Sequence, residues 1–187
     1  MKSVLISIQP KWCELIASGK KTVEVRKTRP KLDTPFKCYI YCTNTRPYLV
    51  WGDVFNGKVI GEFVCDRIDE IGYSPEMHGQ YISDIKDLHK VSCLDFEQMF
   101  DYIADGYGYG WHISDLEIYD TPKELSEFLV EGDCTCENCR KCKYFDRGNG
   151  YNVEDDCLLP YQYLGTGKTL KPLFRPPQSW CYVEELK

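Results

Sequence analysis

The 187-residue chain lacks any long apolar run. None approaches the roughly 20 residues that a membrane-spanning helix requires, so no membrane association is expected. Met1 to Ile8 is too short for a signal-peptide core, and Pro10 interrupts it. A cytoplasmic protein is therefore expected. Histidine is scarce, at three residues, and no Ser/His/Asp or Cys/His arrangement is evident, which leaves the common nucleophilic hydrolases without their apparatus. There is no internal repeat and no low-complexity segment. Positive charge is also in deficit: the net charge of −6 argues against a protein that coats nucleic acid.

The deficit is uneven. Residues 1–40 hold nine Lys/Arg against three Asp/Glu, and the rest of the chain fourteen against twenty-six. A basic patch on an acidic body can still take a phosphate, and it favours a confined contact over a long one.

The patch centres on Ile8–Pro30. Pro10 suits the first position of a helix, where its missing N–H costs nothing. Trp12, Leu15 and Ile16 share a helical face, and Gly19 suits the left-handed cap that follows. Val23-Glu24-Val25-Arg26 then alternates as a strand, with the valines on one face and Thr22, Glu24 and Arg26 on the other. The plain alternative is a solvated basic strand edge.

Further strands are expected at Val4–Ile8, Phe36–Thr43, Lys58–Ile71, from Tyr107 through Tyr119, and Trp180–Leu186. Gly61 marks a bulge or bend. Gly72–Lys90 reads as an insertion loop with a short helix at Ser83–Leu88. A helix from Ser92 to Gly106 carries Phe96, Met99, Phe100 and Ile103 as core residues. Another is expected to begin at Thr121, with Pro122 at its first position. Strands broken by short helices, without regular alternation of strand and helix, give an α+β mixed barrel.

Cysteine is abundant, at eleven residues. Six are scattered among apolar residues and read as small buried hydrophobes. The other five lie between Cys134 and Cys157, spaced C-x-C-x2-C-x2-C-x14-C. Such steps can gather thiolates around one tetrahedral zinc ion. Cys136, Cys139, Cys142 and Cys157 are the chosen ligands, with Cys134 as a substitute. The segment has little apolar content to bury, and structural zinc contributes about 10–16 kcal/mol in small peptides. Free thiols or a disulfide are the alternatives. The nearby Arg140, Lys141, Lys143 and Arg147 are offset by acidic residues, which favours a structural staple over an RNA reader.

The pattern Ser7-Ile8-x-Pro10…Leu15-Ile16-x-x-Gly19-x-Lys21-Thr22-x-Glu24-x-Arg26 resembles the opening motif of the ASCH domain family, with weaker likeness at Gly57–Phe63 and Pro177–Trp180. The resemblance implies a PUA-like mixed β-barrel with short flanking helices, formed by residues 1–130 and 173–187. Residues 131–172 are then a small zinc-stapled insertion. It implies RNA or nucleotide binding, for which the candidates are Gln9, Lys20, Lys21, Thr22, Arg26, Tyr41, Gln178 and Trp180. Lys21 would hold a phosphate and Arg26 could bind one bidentately. Gln9 and Gln178 could pair with a base edge, and Tyr41 or Trp180 could stack on it. Small proteins of that family include amidohydrolases of N4-acetylcytidine, which use a Lys, a Thr three residues on and a distant Glu. Here Lys21 is present, position 24 is Glu, and no match for the distant Glu is found. If the chain is an enzyme, Lys21 and Glu24 are its catalytic candidates.

Overall fold

The first strand, β1 (Lys2–Ile8), is buried from Ser3 to Ile8. An unbroken buried run belongs to a strand covered on both faces. In this computed structural model, which describes residues 2–44, 56–77, 80–104, 106–133, 162–163 and 168–186, β1 lies inside a five-stranded sheet. It pairs antiparallel with β12 (Trp180–Glu184) and parallel with β3 (Phe36–Cys42). β4 (Lys58–Cys65) and β8 (Ser114–Lys123) continue the sheet in the order β12-β1-β3-β4-β8. A second sheet has the order β2-β7-β5-β6, from β2 (Val23–Arg26), β5 (Ile68–Ser74), β6 (Gln80–Ile82) and β7 (Tyr107–His112). A third joins β9 (Leu129–Asp133), β10 (Gln162–Tyr163) and β11 (Lys168–Pro172). The helices are α1 (Pro10–Ala17), α2 (Leu88–Ser92) and α3 (Phe96–Ile103), with 3₁₀ turns at Pro75–Met77 and Leu125–Glu127. The class is the expected α+β, mostly strand; among the described residues the two larger sheets are open and no closed barrel is formed.

Alternation along the strands sorts side chains into three cores. Val4, Ile6 and Ile8 join Cys38, Ile40, Phe63 and Trp111 between the two larger sheets. Leu5 points the other way, to Tyr39, Val59 and Phe128. Val23 and Val25 meet Ile71, Leu88, Met99 and Ile103 under α2 and α3.

Several expected elements differ. Lys58–Ile71 is two strands, because the chain leaves one sheet for the other at the exposed pair Asp66-Arg67. Gly61 does lie at a register shift, where Ile40 pairs Gly61 but Tyr41 pairs Val59. A Cβ there would fall 2.3 Å from the Glu117 carbonyl oxygen, so only glycine fits without backbone movement. No helix starts at Thr121: β8 runs on to Lys123, and Pro122 is tolerated because β8 is an edge strand. One 3₁₀ turn follows, capped by Glu124. Within the expected insertion loop, β6 forms and the helix falls at Leu88–Ser92. Of the four expected core residues of α3, Met99 and Ile103 are buried, whereas Phe96 and Phe100 are each 42% exposed. The two phenylalanines occupy a neighbouring stripe, in ring contact with Tyr81 and Tyr73.

The chain at both ends of residues 131–172 is strand. β9 and β11 pair antiparallel from Leu129↔Pro172 to Lys168↔Asp133.

Candidate functional site

The site starts from the end of α1. Gly19 takes φ +71, and its N–H donates to Ile16 O at 2.8 Å. The Lys20 and Lys21 N–H groups then turn back onto Leu15 O, at 2.9 and 3.0 Å. This turn drives Lys21 inward, leaving it 2% exposed. Its Nζ donates to Ser92 O at 2.6 Å and lies 3.3 Å from Glu24 Oε2. The Trp12 ring centroid is 5.3 Å away.

β2 supplies the next two charges. Its alternation sends Val23 and Val25 into the helix-covered core and leaves Glu24 and Arg26 on the opposite face. Both are buried, so the strand is no solvated basic edge. Glu24 Oε1 pairs with the Arg26 guanidinium as an ion pair, with Nη2 at 3.1 Å. Arg26 Nη2 also donates to Ser7 O at 2.6 Å. Ser7 ties this group to the segment before β12: its Oγ donates to Pro177 O at 2.7 Å and its N–H to Ser179 O at 2.8 Å. Glu24 thus links two buried cations, an arrangement that keeps buried charge tolerable.

Two polar atoms of this group stay unmatched. Among the described residues, Glu24 Oε2 is at ion-pair distance from Lys21 but has no hydrogen bond, and Arg26 Nε has no partner. Both residues line a cleft of about 900 Å³. Ser7, Ile8 and Gln9 form one wall of it and Pro176–Ser179 another. α3 and the residues before it contribute Leu94, Gln98, Asp101 and Tyr102, while Trp12 and Thr43 complete the lining. The volume falls within the range of small-molecule sites.

Two thiols lie beneath this wall. Cys13 Sγ donates to Ile8 O at 3.6 Å. The adjacent Cys42 thiol, reinforced by burial, raises the Cys13 thiol well above its ordinary pKa, while the same contact lowers Cys42. Cys13 is therefore a packing residue and not a nucleophile.

The structure brings Gln9, Lys21, Glu24, Arg26 and Gln178 together at the cleft. It does not bring the other candidates there. Lys20 is exposed on a shallow groove with Glu14, Leu15, Ala17 and Ser18. Thr22 is exposed, and its backbone N–H and C=O bond Val91 and Ile113. Tyr41 is buried with Leu5, Tyr39 and Val59. Trp180 packs 6.1 Å from Trp111 and 5.4 Å from Tyr182, and its indole N–H donates to Thr28 Oγ1 at 3.1 Å. The aromatic residues at the cleft are instead Trp12 and Tyr102. Trp12 was visible in the sequence as a helix-face residue, whereas Tyr102 carried only the signal of adjoining the Met99–Ile103 face. Cys134, Cys136, Cys139, Cys142 and Cys157 lie outside the described residues. Among the described residues no group of three or more His, Cys, Asp or Glu is placed to hold a metal.

Residues 6–121 match the family model described as the ASCH domain. No curated protein matches the chain. Among solved structures, the chain is similar to ASCH from Zymomonas mobilis, with 25% identity, a TM-score of 0.48, and coverage of 66% of this chain and 73% of that one. A serine-to-alanine mutant of the Zymomonas mobilis protein gives 20% identity and a TM-score of 0.55, covering 98% of this chain and 89% of that one. This last likeness is one of fold alone.

Proposed function

This chain belongs to the ASCH domain family, and on that premise we propose that the cleft at the Gly19–Arg26 turn and strand binds RNA or a modified nucleotide. The family is generally thought to bind RNA. The observation that carries the reading is the pair of unmatched buried atoms, Glu24 Oε2 and Arg26 Nε. A spare acceptor and a spare donor at one cleft suit a heterocycle, whose edge presents an N–H beside a ring nitrogen or carbonyl, as every nucleobase does. Leaving such groups unmatched costs about 1–3 kcal/mol each, so a ligand that supplies both partners recovers that energy. Gln9, Gln98 and Gln178 add amides around the edge, and Trp12 and Tyr102 add ring faces. Arg26→Lys tests the assignment. It keeps the charge and removes Nε, so RNA or nucleotide affinity should fall about tenfold with the fold intact. Undiminished affinity would refute it.

A second reading is hydrolysis of a modified nucleoside, such as N4-acetylcytidine. The burial of Lys21 with Glu24 at 3.3 Å inside the cleft favours it, since the pair could polarise water there. Release of acetate from N4-acetylcytidine, lost on Lys21→Arg, would support this reading over binding alone.

The finer architecture is part of the same proposal. The fold is PUA-like, and we infer that the two larger sheets face each other as the two sides of one open barrel, which the core shared by Val4, Phe63 and Trp111 supports. The spacing of Cys136, Cys139, Cys142 and Cys157, with Cys134 in reserve, supports one structural zinc in residues 131–172. A cytoplasmic location is supported by the free thiols of the six described cysteines. No described helix is long and apolar enough to cross a membrane.

A further inference from the structure

We propose that the ligand is a single strand, with one unstacked base in the cleft and the phosphates on either side of it held by Lys11 and Lys27. The inference rests on the reading of the cleft as a nucleobase site and concerns what lies outside it.

The charges at the cleft do not suit a phosphate. Its lining carries two cations, Lys21 and Arg26, against two carboxylates, Glu24 and Asp101. The two cations already serve the Ser92 and Ser7 carbonyls and share Glu24. A phosphate driven to that depth would meet Glu24 and find no free cation, whereas a neutral heterocycle meets a spare acceptor and a spare donor.

Two exposed cations stand beside rings that line the cleft. Lys11 and Lys27 are both exposed. Lys11 Nζ lies 4.5 Å from the Trp12 ring centroid, and Lys27 Nζ lies 5.3 Å from that of Tyr102. These are the two aromatic rings that line the cleft. Among the described residues neither lysine pairs with a carboxylate. Lys11 belongs to α1 and Lys27 follows β2, so each ring of the cleft has one exposed ammonium beside it, in addition to the buried Lys21 near Trp12.

One ring with one ammonium would suit a free nucleotide. Two ring–ammonium pairs around one cleft suit a chain, which brings a phosphate on each side of the inserted base. The base must also leave its stack to enter. A single strand makes this cheap, while a duplex must first give up a base pair. The lysine stems can keep contact with the rings as the ammonium groups turn to phosphate.

The experiment measures fluorescence anisotropy of a 5′-fluorescein seven-nucleotide RNA of mixed sequence, alone and annealed to its complement. Competition by a mixture of the four nucleoside monophosphates is measured beside it. The single strand should bind at least about tenfold tighter than the duplex. Lys11→Ala and Lys27→Ala should each weaken it several-fold and lower the slope of log affinity against log salt by about 0.7, the value for one phosphate of a single strand. Neither substitution should change the monophosphate competition by the same factor, and Lys86→Ala, remote from the cleft lining, should change nothing. Equal binding of duplex and single strand overturns the inference, as do silent Lys11 and Lys27 variants. If those variants are silent while Arg26→Lys weakens both strand and monophosphates, the inference fails and the cleft stands as the site. If the native chain binds neither ligand, the reading of the cleft fails with it.

Discussion

Replacing Glu24 by glutamine removes one negative charge from between two buried cations. The side chains of Lys21, Glu24 and Arg26 are 2%, 8% and 8% exposed. At an effective dielectric constant of about 20, charges 3.3 and 3.1 Å apart attract by about 5 kcal/mol each. Much of that attraction offsets desolvation, so the net loss is smaller; breaking one buried pair costs about 3–5 kcal/mol. The substituted amide would retain the shape and one acceptor, which keeps the loss in that range rather than the sum. For a chain of this size the expected fall in Tm is about 6–20 °C. Circular dichroism melts at neutral pH measure it, with urea titration as the second probe. A double variant, Glu24→Gln with Lys21→Met, removes one of the stranded cations and should recover part of the loss. A melt shifted by less than about 2 °C, or a double variant worse than the two single changes added together, would refute the view of Glu24 as a shared buried counter-ion.

Three further outcomes follow from other parts of the molecule. Gly61→Ala should cost about 2 kcal/mol or more, because the new methyl meets the rigid Glu117 carbonyl rather than a movable side chain; an unchanged urea midpoint would contradict this. Glu62 is pushed up by burial, but hydrogen bonds from Lys37, at 2.7 Å, and from Tyr119 hold it below the usual carboxylate range. A carboxyl depressed in the folded state stabilises above its unfolded pKa and loses that contribution as pH falls through the folded one. Stability should therefore decline below about pH 4, and Glu62→Gln should flatten that decline; an identical acid limb would contradict it. Elemental analysis of the purified chain should find about one zinc per chain, reduced by Cys139→Ser, while a metal-free folded chain would remove the zinc from the account.

Much of the fold was legible because local rules agreed with tertiary demand. Pro10, the apolar face of α1 and Gly19 mark a helix and its stop, and the structure places helix and left-handed turn there. The alternation of Val23–Arg26 predicted which side chains share a face. What it could not predict was burial: whether Glu24 and Arg26 meet water depends on Ser7, Ser92 and the Pro176–Ser179 segment, all distant in sequence. The misplaced elements share a cause. Thr121-Pro122 has the chemistry of a helix start, yet the pairing of Lys123 with Val59 kept it in a strand. Phe96 and Phe100 follow the helical period but lie beside, not on, the buried stripe of a helix only eight residues long. Trp180 and Tyr41 looked like stacking residues because an aromatic side chain in a strand carries no mark of which face it takes. Tyr102 went unnoticed for the converse reason: it adjoins a core stripe, and only the approach of α3 to β2 makes it part of a cleft.

The most direct test of the account is a crystal structure of the chain soaked with a short single-stranded RNA. The account predicts one base in the cleft, with an N–H of its edge within hydrogen-bond distance of Glu24 Oε2 and an acceptor opposite Arg26 Nε. A ligand bound elsewhere, for example along the Lys20 groove, with the cleft empty, would contradict it.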